Sequence, residues 1–138
     1  MKNFTDRLIK KIILIFLLSM PLMAICQNSS PAIESMELNS EAFNDTMAHV
    51  TMILNLSGTE SISKIHVKVK DEVGKVQFEH SFNSGGNEQI PRCCSFLKEG
   101  NNVKLGMGYY KYERLIYEAR LEDLQGNYSP ITIKESVY

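Results

Sequence analysis

The sequence contains no tryptophan and only three cysteines among its 138 residues. Two of them, Cys93 and Cys94, are adjacent, and adjacent cysteines can bridge only through a strained ring. This pair therefore cannot join distant strands, and an apolar core must hold the fold. If the pair lies in a strand, one thiol packs inside and the other faces water. The alternative is a free thiol that pairs with another chain or senses redox state.

Motifs that indicate a reaction are also missing. We find no Gly-x-Ser-x-Gly nucleophile elbow and no phosphate-binding glycine loop. Two carboxylate pairs occur, Asp71 with Glu72 and Glu122 with Asp123. Adjacent strand residues point to opposite faces, whereas hydrolytic carboxylates converge across a cleft. We therefore expect no enzymatic activity and no cofactor.

A long apolar run is confined to the first 26 residues. It extends from Ile12 to Ile25, which is shorter than the roughly 20 residues that span a bilayer. The charges before it are Lys2, Asp6, Arg7, Lys10 and Lys11. Residues 24–26 resemble a cleavage site, so we predict a helical secretory signal peptide over residues 1–26. Residues 27–138 then form one domain, and the protein is secreted, periplasmic or on the cell surface.

Cys26 has a second interpretation, because a bacterial lipoprotein is cut just before a cysteine that then carries the lipid. In this sequence Ile25, a bulky residue, stands where such sites have a small one. We therefore place cleavage after Cys26 and keep its lipidation as the alternative. The leader or a lipidated Cys26 would be the only contact with a membrane.

The domain that remains is mildly acidic. Removing the four basic residues and one acidic residue of the leader from totals of 15 and 16 leaves 11 basic and 15 acidic residues, a net charge of −4. Nucleic-acid binding requires clustered Lys and Arg, and here the charges are spread along the chain. Nucleic acid is therefore excluded as a partner.

Apolar and polar residues alternate along this domain, which is the pattern of half-buried β-strands. The clearest case is Ile65, Val67 and Val69, which alternate with His66 and Lys68. A turn over residues 71–75 follows, and the next strand should pair antiparallel with it. We predict strands near residues 33–38, 50–56, 65–70, 76–82, 95–98, 103–107, 115–123 and 130–137. Seven or eight strands with turns between them indicate an all-β sandwich.

Residues 117–130 contain a Tyr, alternating apolar residues, an Asp and then Gly-Asn-Tyr-Ser. This stretch resembles the last two strands of bacterial fibronectin type III and immunoglobulin-like domains. The resemblance implies a single antiparallel sandwich with Greek-key connections. It also implies a buried Tyr117 ring, a positive φ at Gly126, and an Asp123 carboxylate that caps the amides of the turn.

In such a sandwich the histidines do not converge. His49 and His66 fall on outward faces of different sheets, while His80 shares a face with Val76 and Phe78. No two histidines have ligand spacing within one element. We therefore predict no metal site.

The best candidate for a binding surface is a group of tyrosines with one arginine. Tyrosine is enriched at recognition sites because it offers a large contact area at low entropic cost. We take this region as the connection between two strands, where the rings could also simply cover the end of the core. Two glycines before it suggest a bend or a bulge that could present the rings. The candidates are Tyr109, Tyr110, Tyr112 and Arg114, preceded by Gly106 and Gly108, with the loop 83–94 as a second region.

The sequence thus predicts a non-catalytic interaction or structural module that binds another extracellular or envelope protein. The alternative is a small carbohydrate-binding protein that uses the Tyr109–Tyr112 region. Tryptophan, the preferred ring for stacking on sugars, is absent, although tyrosine can replace it.

Overall fold

Eight β-strands make up most of the chain that the structure describes. The structure is a computed structural model that describes residues 29–86 and 90–136. The strands are β1 (Ala32–Ala42), β2 (Met47–Ser57), β3 (Ile62–Asp71), β4 (Val76–Asn83), β5 (Ser95–Glu99), β6 (Asn102–Lys111), β7 (Leu115–Asp123) and β8 (Thr132–Ser136). A 3-10 turn, Thr59–Ser61, joins β2 to β3. Each predicted strand has its counterpart here.

Some predictions concern residues outside these ranges. The predicted signal peptide over residues 1–26, including Cys26, lies outside the described residues, as does Val137 at the predicted end of the last strand. Within the described ranges, no helix has the length and apolar character needed to cross a bilayer.

The strands form two four-stranded antiparallel sheets. One sheet has the order β1-β2-β6-β5 and the other the order β4-β3-β7-β8. The chain changes sheet after β2, β4 and β6, so hairpins alternate with crossings between the layers. The predicted pairing of β3 with β4 is confirmed, with Val67 opposite His80. The all-β sandwich predicted from the alternation is therefore confirmed.

The core lies between the sheets and comes mainly from the four central strands. Along β2, and along β3 from Ile65 to Val69, every second residue is buried, as the alternation predicts. A fully buried Val, Leu, Ile or Met side chain contributes about 1.5–3 kcal/mol relative to an exposed one. The ring of Tyr117 on β7 is fully buried, which confirms its predicted place. The core side chains are Met36, Val50, Met52, Leu54, Leu56, Ile62, Ile65, Val67, Val69, Phe82, Val103, Leu105, Met107, Leu115, Tyr117, Ala119 and Leu121.

Asp123 ends β7 and organises the turn that follows. Its Oδ1 accepts hydrogen bonds of 2.8 Å from the backbone N–H groups of Gln125 and Asn127, and Gly126 between them has φ 84°. The predicted cap is therefore confirmed. The hydrogen bond from the Asn127 side chain is the main cause that lowers the pKa of Asp123 below its ordinary value. Asp71 holds the β3–β4 turn in the same way, through Val73 and Lys75.

A β-bulge in β6 reverses the direction of the side chains that follow it. Val50 on β2 pairs with Gly108, but Thr51 pairs with Gly106, so Met107 is an extra residue on β6. After the bulge Tyr109 faces outward and Tyr110 inward. We predicted a bulge at these glycines, and it is present. Our interpretation of Tyr109 and Tyr110 as part of a connection is wrong, because β6 continues through the bulge to Lys111.

Gly108 is the residue of this bulge that has a positive φ. It has φ 93°, and a Cβ at this position would lie 3.3 Å from both the Cβ and the carbonyl oxygen of Cys93. Gly126 has φ 84° but no atom within 4 Å of such a Cβ. We expect Gly108→Ala to lower the free energy of unfolding by on the order of 1–3 kcal/mol, and Gly126→Ala by less. Urea denaturation of both variants measures this, and equal losses would contradict it.

Candidate functional site

The predicted tyrosine group does not form a single surface. Tyr110 packs inward, with its ring centroid 6.2 Å from that of Tyr117 in an edge-to-face arrangement. Tyr109 lies outward with 50% of its surface exposed. Tyr112 follows the end of β6, and its backbone N–H donates to the carbonyl of Thr46. The bulge in β6 therefore divides the group between the core and the surface.

Arg114 lies in the short β6–β7 connection and is paired with Glu135 on β8. Its Nε and one terminal nitrogen donate to the same Glu135 oxygen, at 3.1 and 2.5 Å. These hydrogen bonds raise the pKa of Arg114 above its ordinary value. Both side chains are exposed, so the pair adds little to stability. Its effect is to fix the connection to the neighbouring strand.

Tyr109 has two aromatic neighbours that the sequence analysis did not identify. The ring centroid of Phe43 lies 4.7 Å from that of Tyr109, and the centroid of His49 lies 5.2 Å from it. His49 is directly opposite Tyr109 in the β2–β6 pairing, and Phe43, which is 62% exposed, belongs to the β1–β2 turn. We call Phe43, His49 and Tyr109 the aromatic surface.

The β1–β2 turn that carries Phe43 is held by its own hydrogen bonds. The Asn44 carboxamide oxygen accepts from the backbone N–H groups of Thr46 and Met47, both at 2.9 Å. The N–H of Phe43 donates to the carbonyl of Met47 at 2.9 Å. The aromatic ring is therefore presented from an ordered turn, which limits the entropy lost when a partner binds.

A second group of side chains lies on the outer face of the other sheet and centres on His66. Its Nδ1 lies 2.6 Å from the Ser81 hydroxyl, and its Nε2 lies 2.7 Å from a Glu122 carboxylate oxygen. An ionised carboxylate can only accept, so Nε2 donates to Glu122, and in the neutral ring Nδ1 then accepts from the Ser81 hydroxyl. We call Ser81, His66 and Glu122 the His66 network. It joins β4, β3 and β7 across the sheet.

The His66 network borders a shallow depression of about 140 Å³. Tyr128 packs against the His66 ring at 5.5 Å, and the Arg120 guanidinium lies 4.2 Å above the Tyr128 ring. Across the depression Lys68 pairs with Glu79 at 2.9 Å. The polar side chains of this face are thus largely partners of one another.

The order serine, histidine, carboxylate is that of an activated nucleophile, but such a site also needs donors for an oxyanion. The backbone of β3 around His66 is hydrogen-bonded to β4 on one side and to β7 on the other. The amides of β3 are therefore used within the sheet, and the network adds side-chain hydrogen bonds that join three strands.

The remaining histidines lie apart from one another, as predicted. His49 and His66 are on outward faces of different sheets, and the His80 ring packs between Phe78 and Phe82. The predicted face shared with Val76 is wrong, because a register shift in the β3–β4 pairing places the exposed Val76 opposite Lys70. Glu122 contacts His66 whereas Asp123 caps its turn, so this carboxylate pair diverges as predicted. Over residues 29–86 and 90–136, no three His, Cys, Asp or Glu side chains lie close enough to hold a metal ion.

Cys93 and Cys94 lie in the turn just before β5 rather than in a strand. Their sulfur atoms are 3.3 Å apart and are not bonded. Cys93 is exposed and Cys94 packs against the core, so the two thiols differ as predicted, although the strand from which we predicted this is absent. Burial is the main cause that raises the pKa of Cys94 to about 12. Neither thiol links the two sheets.

The chain was compared with known proteins in three ways. No protein family, no curated protein and no solved structure matches it.

The His66 network should contribute to stability in a way that His49 does not. His66→Ala leaves Ser81 and the partly buried Glu122 without their partner, and should lower the free energy of unfolding by about 1–3 kcal/mol. His49→Ala is the matched control, because Tyr109, which is exposed, is the one aromatic ring among the described residues that the His49 ring contacts. This substitution should change the free energy of unfolding by no more than about 0.5 kcal/mol. Chemical denaturation compares the two, and equal values would contradict the assignment.

Proposed function

We propose that this protein is an exported, non-catalytic interaction module of the immunoglobulin-like or fibronectin type III-like kind. In this proposal the aromatic surface contacts another extracellular or envelope protein. The strand order supports the architecture, because successive hairpins lie in alternate four-stranded sheets, as in a Greek-key sandwich. The buried Tyr117 and the Asp123 turn agree with the resemblance seen in the last two strands.

The observation that carries the proposal is the exposure of two large aromatic rings in contact with each other. Phe43 is 62% and Tyr109 50% exposed, although hydrophobic rings are ordinarily covered. Aromatic residues dominate the binding energy at the centres of protein interfaces. None of the three rings carries a carboxylate, ammonium or guanidinium group, but the exposed Glu41 on β1 lies directly opposite His49. A partner that covers the rings must therefore leave Glu41 in water or pair it.

A protein partner suits this surface better than a sugar does. The ring planes of Phe43 and His49 are inclined to that of Tyr109 by 57° and 62°, so the three rings do not form one flat platform. A sugar ring stacks on a flat aromatic face, whereas side chains of a protein partner can pack between inclined rings. Tyr110 is turned inward, which removes one ring from the alternative carbohydrate site.

Loss of the exposed rings should abolish partner capture without affecting the fold. Tyr109→Ala and Phe43→Ala should each remove the partner that the wild-type protein retains from an envelope extract, while the melting temperature stays unchanged. The control is Ile133→Ala, which removes a side chain that is 58% exposed on the other sheet. Capture that survives both ring substitutions would contradict the proposal. A glycan-array signal that disappears with Tyr109→Ala would favour the carbohydrate alternative.

Export is tested by the amino terminus of the protein as the cell makes it. We expect the product recovered outside the cytoplasm to begin at Gln27, because the apolar run and its preceding charges form a signal peptide. Intact mass spectrometry of the fractionated protein measures this. A mass that fits a lipid on Cys26 would select the lipoprotein alternative, and a full-length cytoplasmic product would contradict export.

A further inference from the structure

The neighbouring thiols occupy a fixed position at the free edge of a sheet. Strand β5 is the outer strand of its sheet, and the two cysteines directly precede it. The backbone N–H of Cys94 donates to the carbonyl of Pro91 at 2.8 Å, and Cys93 lies against Gly108 of the β6 bulge. The exposed sulfur of Cys93 is therefore held on ordered backbone, one residue along β6 from the aromatic surface.

The two thiols differ in what they can do. Cys93 is exposed and open to reagents, whereas Cys94 packs against the core. The attacking species in disulfide chemistry is the thiolate. Because burial raises the pKa of Cys94 to about 12, Cys94 remains a thiol at neutral pH and is a poor nucleophile.

Geometry also opposes a bond between them, although the sulfur atoms are only 3.3 Å apart. Disulfides join Cα atoms that are about 4.4–6.8 Å apart, while Cα atoms across one trans peptide are about 3.8 Å apart. The ring that would form is strained, and strained disulfides are readily reduced. A neighbouring thiol ordinarily releases a mixed disulfide by closing such a bond.

We propose that Cys93 is a thiolation site, which takes up an external thiol as a mixed disulfide and keeps it because Cys94 cannot displace it. The Cys93 thiolate attacks one sulfur of a disulfide RS–SR. The new Cys93–S–SR bond forms as the old S–S bond breaks, and the departing RS⁻ takes a proton from water. Cys93 is oxidised, and the released half of the reagent is reduced. The oxidant is thus the disulfide itself.

Two sources can supply the external thiol, a small thiol such as cysteine or Cys93 of a second copy of the chain. Export, part of the proposed function, would place the protein where disulfides persist. The chemistry itself is independent of export and of the aromatic surface. It is therefore tested on purified protein, separately from partner capture.

The test incubates the purified full chain with cystine at pH 8.5, removes the reagent and follows the adduct over time. Trypsin cleavage after Arg92 and Lys98 releases residues 93–98, a peptide that contains both thiols and separates them from Cys26. Fragmentation of this peptide locates the modification. We expect one added cysteine on Cys93 and no adduct in Cys93→Ser. The amount of adduct and its lifetime should be the same in the wild-type protein and in Cys94→Ser. Cys94→Ala, checked by circular dichroism, serves as the second variant if the serine perturbs the core.

Each other outcome has a defined meaning. A disulfide-linked dimer through Cys93, which increases with protein concentration on a non-reducing gel, supports the site and identifies a second copy as the source. A peptide 93–98 that loses two hydrogens would show closure between the neighbours and overturn the proposal. So would an adduct that accumulates only when Cys94 is replaced, modification at Cys94, or no reaction at Cys93.

Discussion

Burial of alternate side chains between the two sheets is the interaction on which this structure depends. Within the described part of the chain neither cysteine forms a cross-link, so the sheets are held together by packing. The pairs β2–β6 and β3–β7 form the middle of each sheet and supply most of the core. A shift of one residue in either register would expose a whole row of apolar side chains, so the alternation also fixes the register.

The bulge in β6 interrupts this alternation, and it decides which tyrosine reaches the surface. With strict alternation after Leu105 and Met107, Tyr109 would face the core. The extra residue sends Tyr110 inward against Tyr117 and places Tyr109 opposite His49 on the outer face. Gly108 has φ 93° and lies against Cys93, so the bulge also borders the turn that holds the thiols. The aromatic surface and the thiol pair are thus neighbours of the same bulge.

Local patterns explain why much of the fold could be predicted from the sequence. The alternation in β3 and the Asp123 turn involve residues that are close in the chain, and both agree with the structure. Side-chain contacts between strands could not be predicted from such local patterns. Ser81 and Glu122 lie 15 and 56 positions from His66, and only the register of three strands brings them together. Phe43 likewise reaches Tyr109 only through the pairing of β2 with β6.

The two outer faces differ in what a partner would have to displace. On the β4-β3-β7-β8 sheet the charged groups are paired across strands, as in Lys68 with Glu79 and Lys70 with Glu118. A partner on that face would have to dehydrate these pairs, which costs free energy unless every group finds a new bond. The three rings of the aromatic surface take part in no such ion pair with a described residue, so covering the rings releases water without breaking one, provided that Glu41 opposite His49 stays hydrated. This difference, more than the number of exposed residues, is why we place the partner on the aromatic surface.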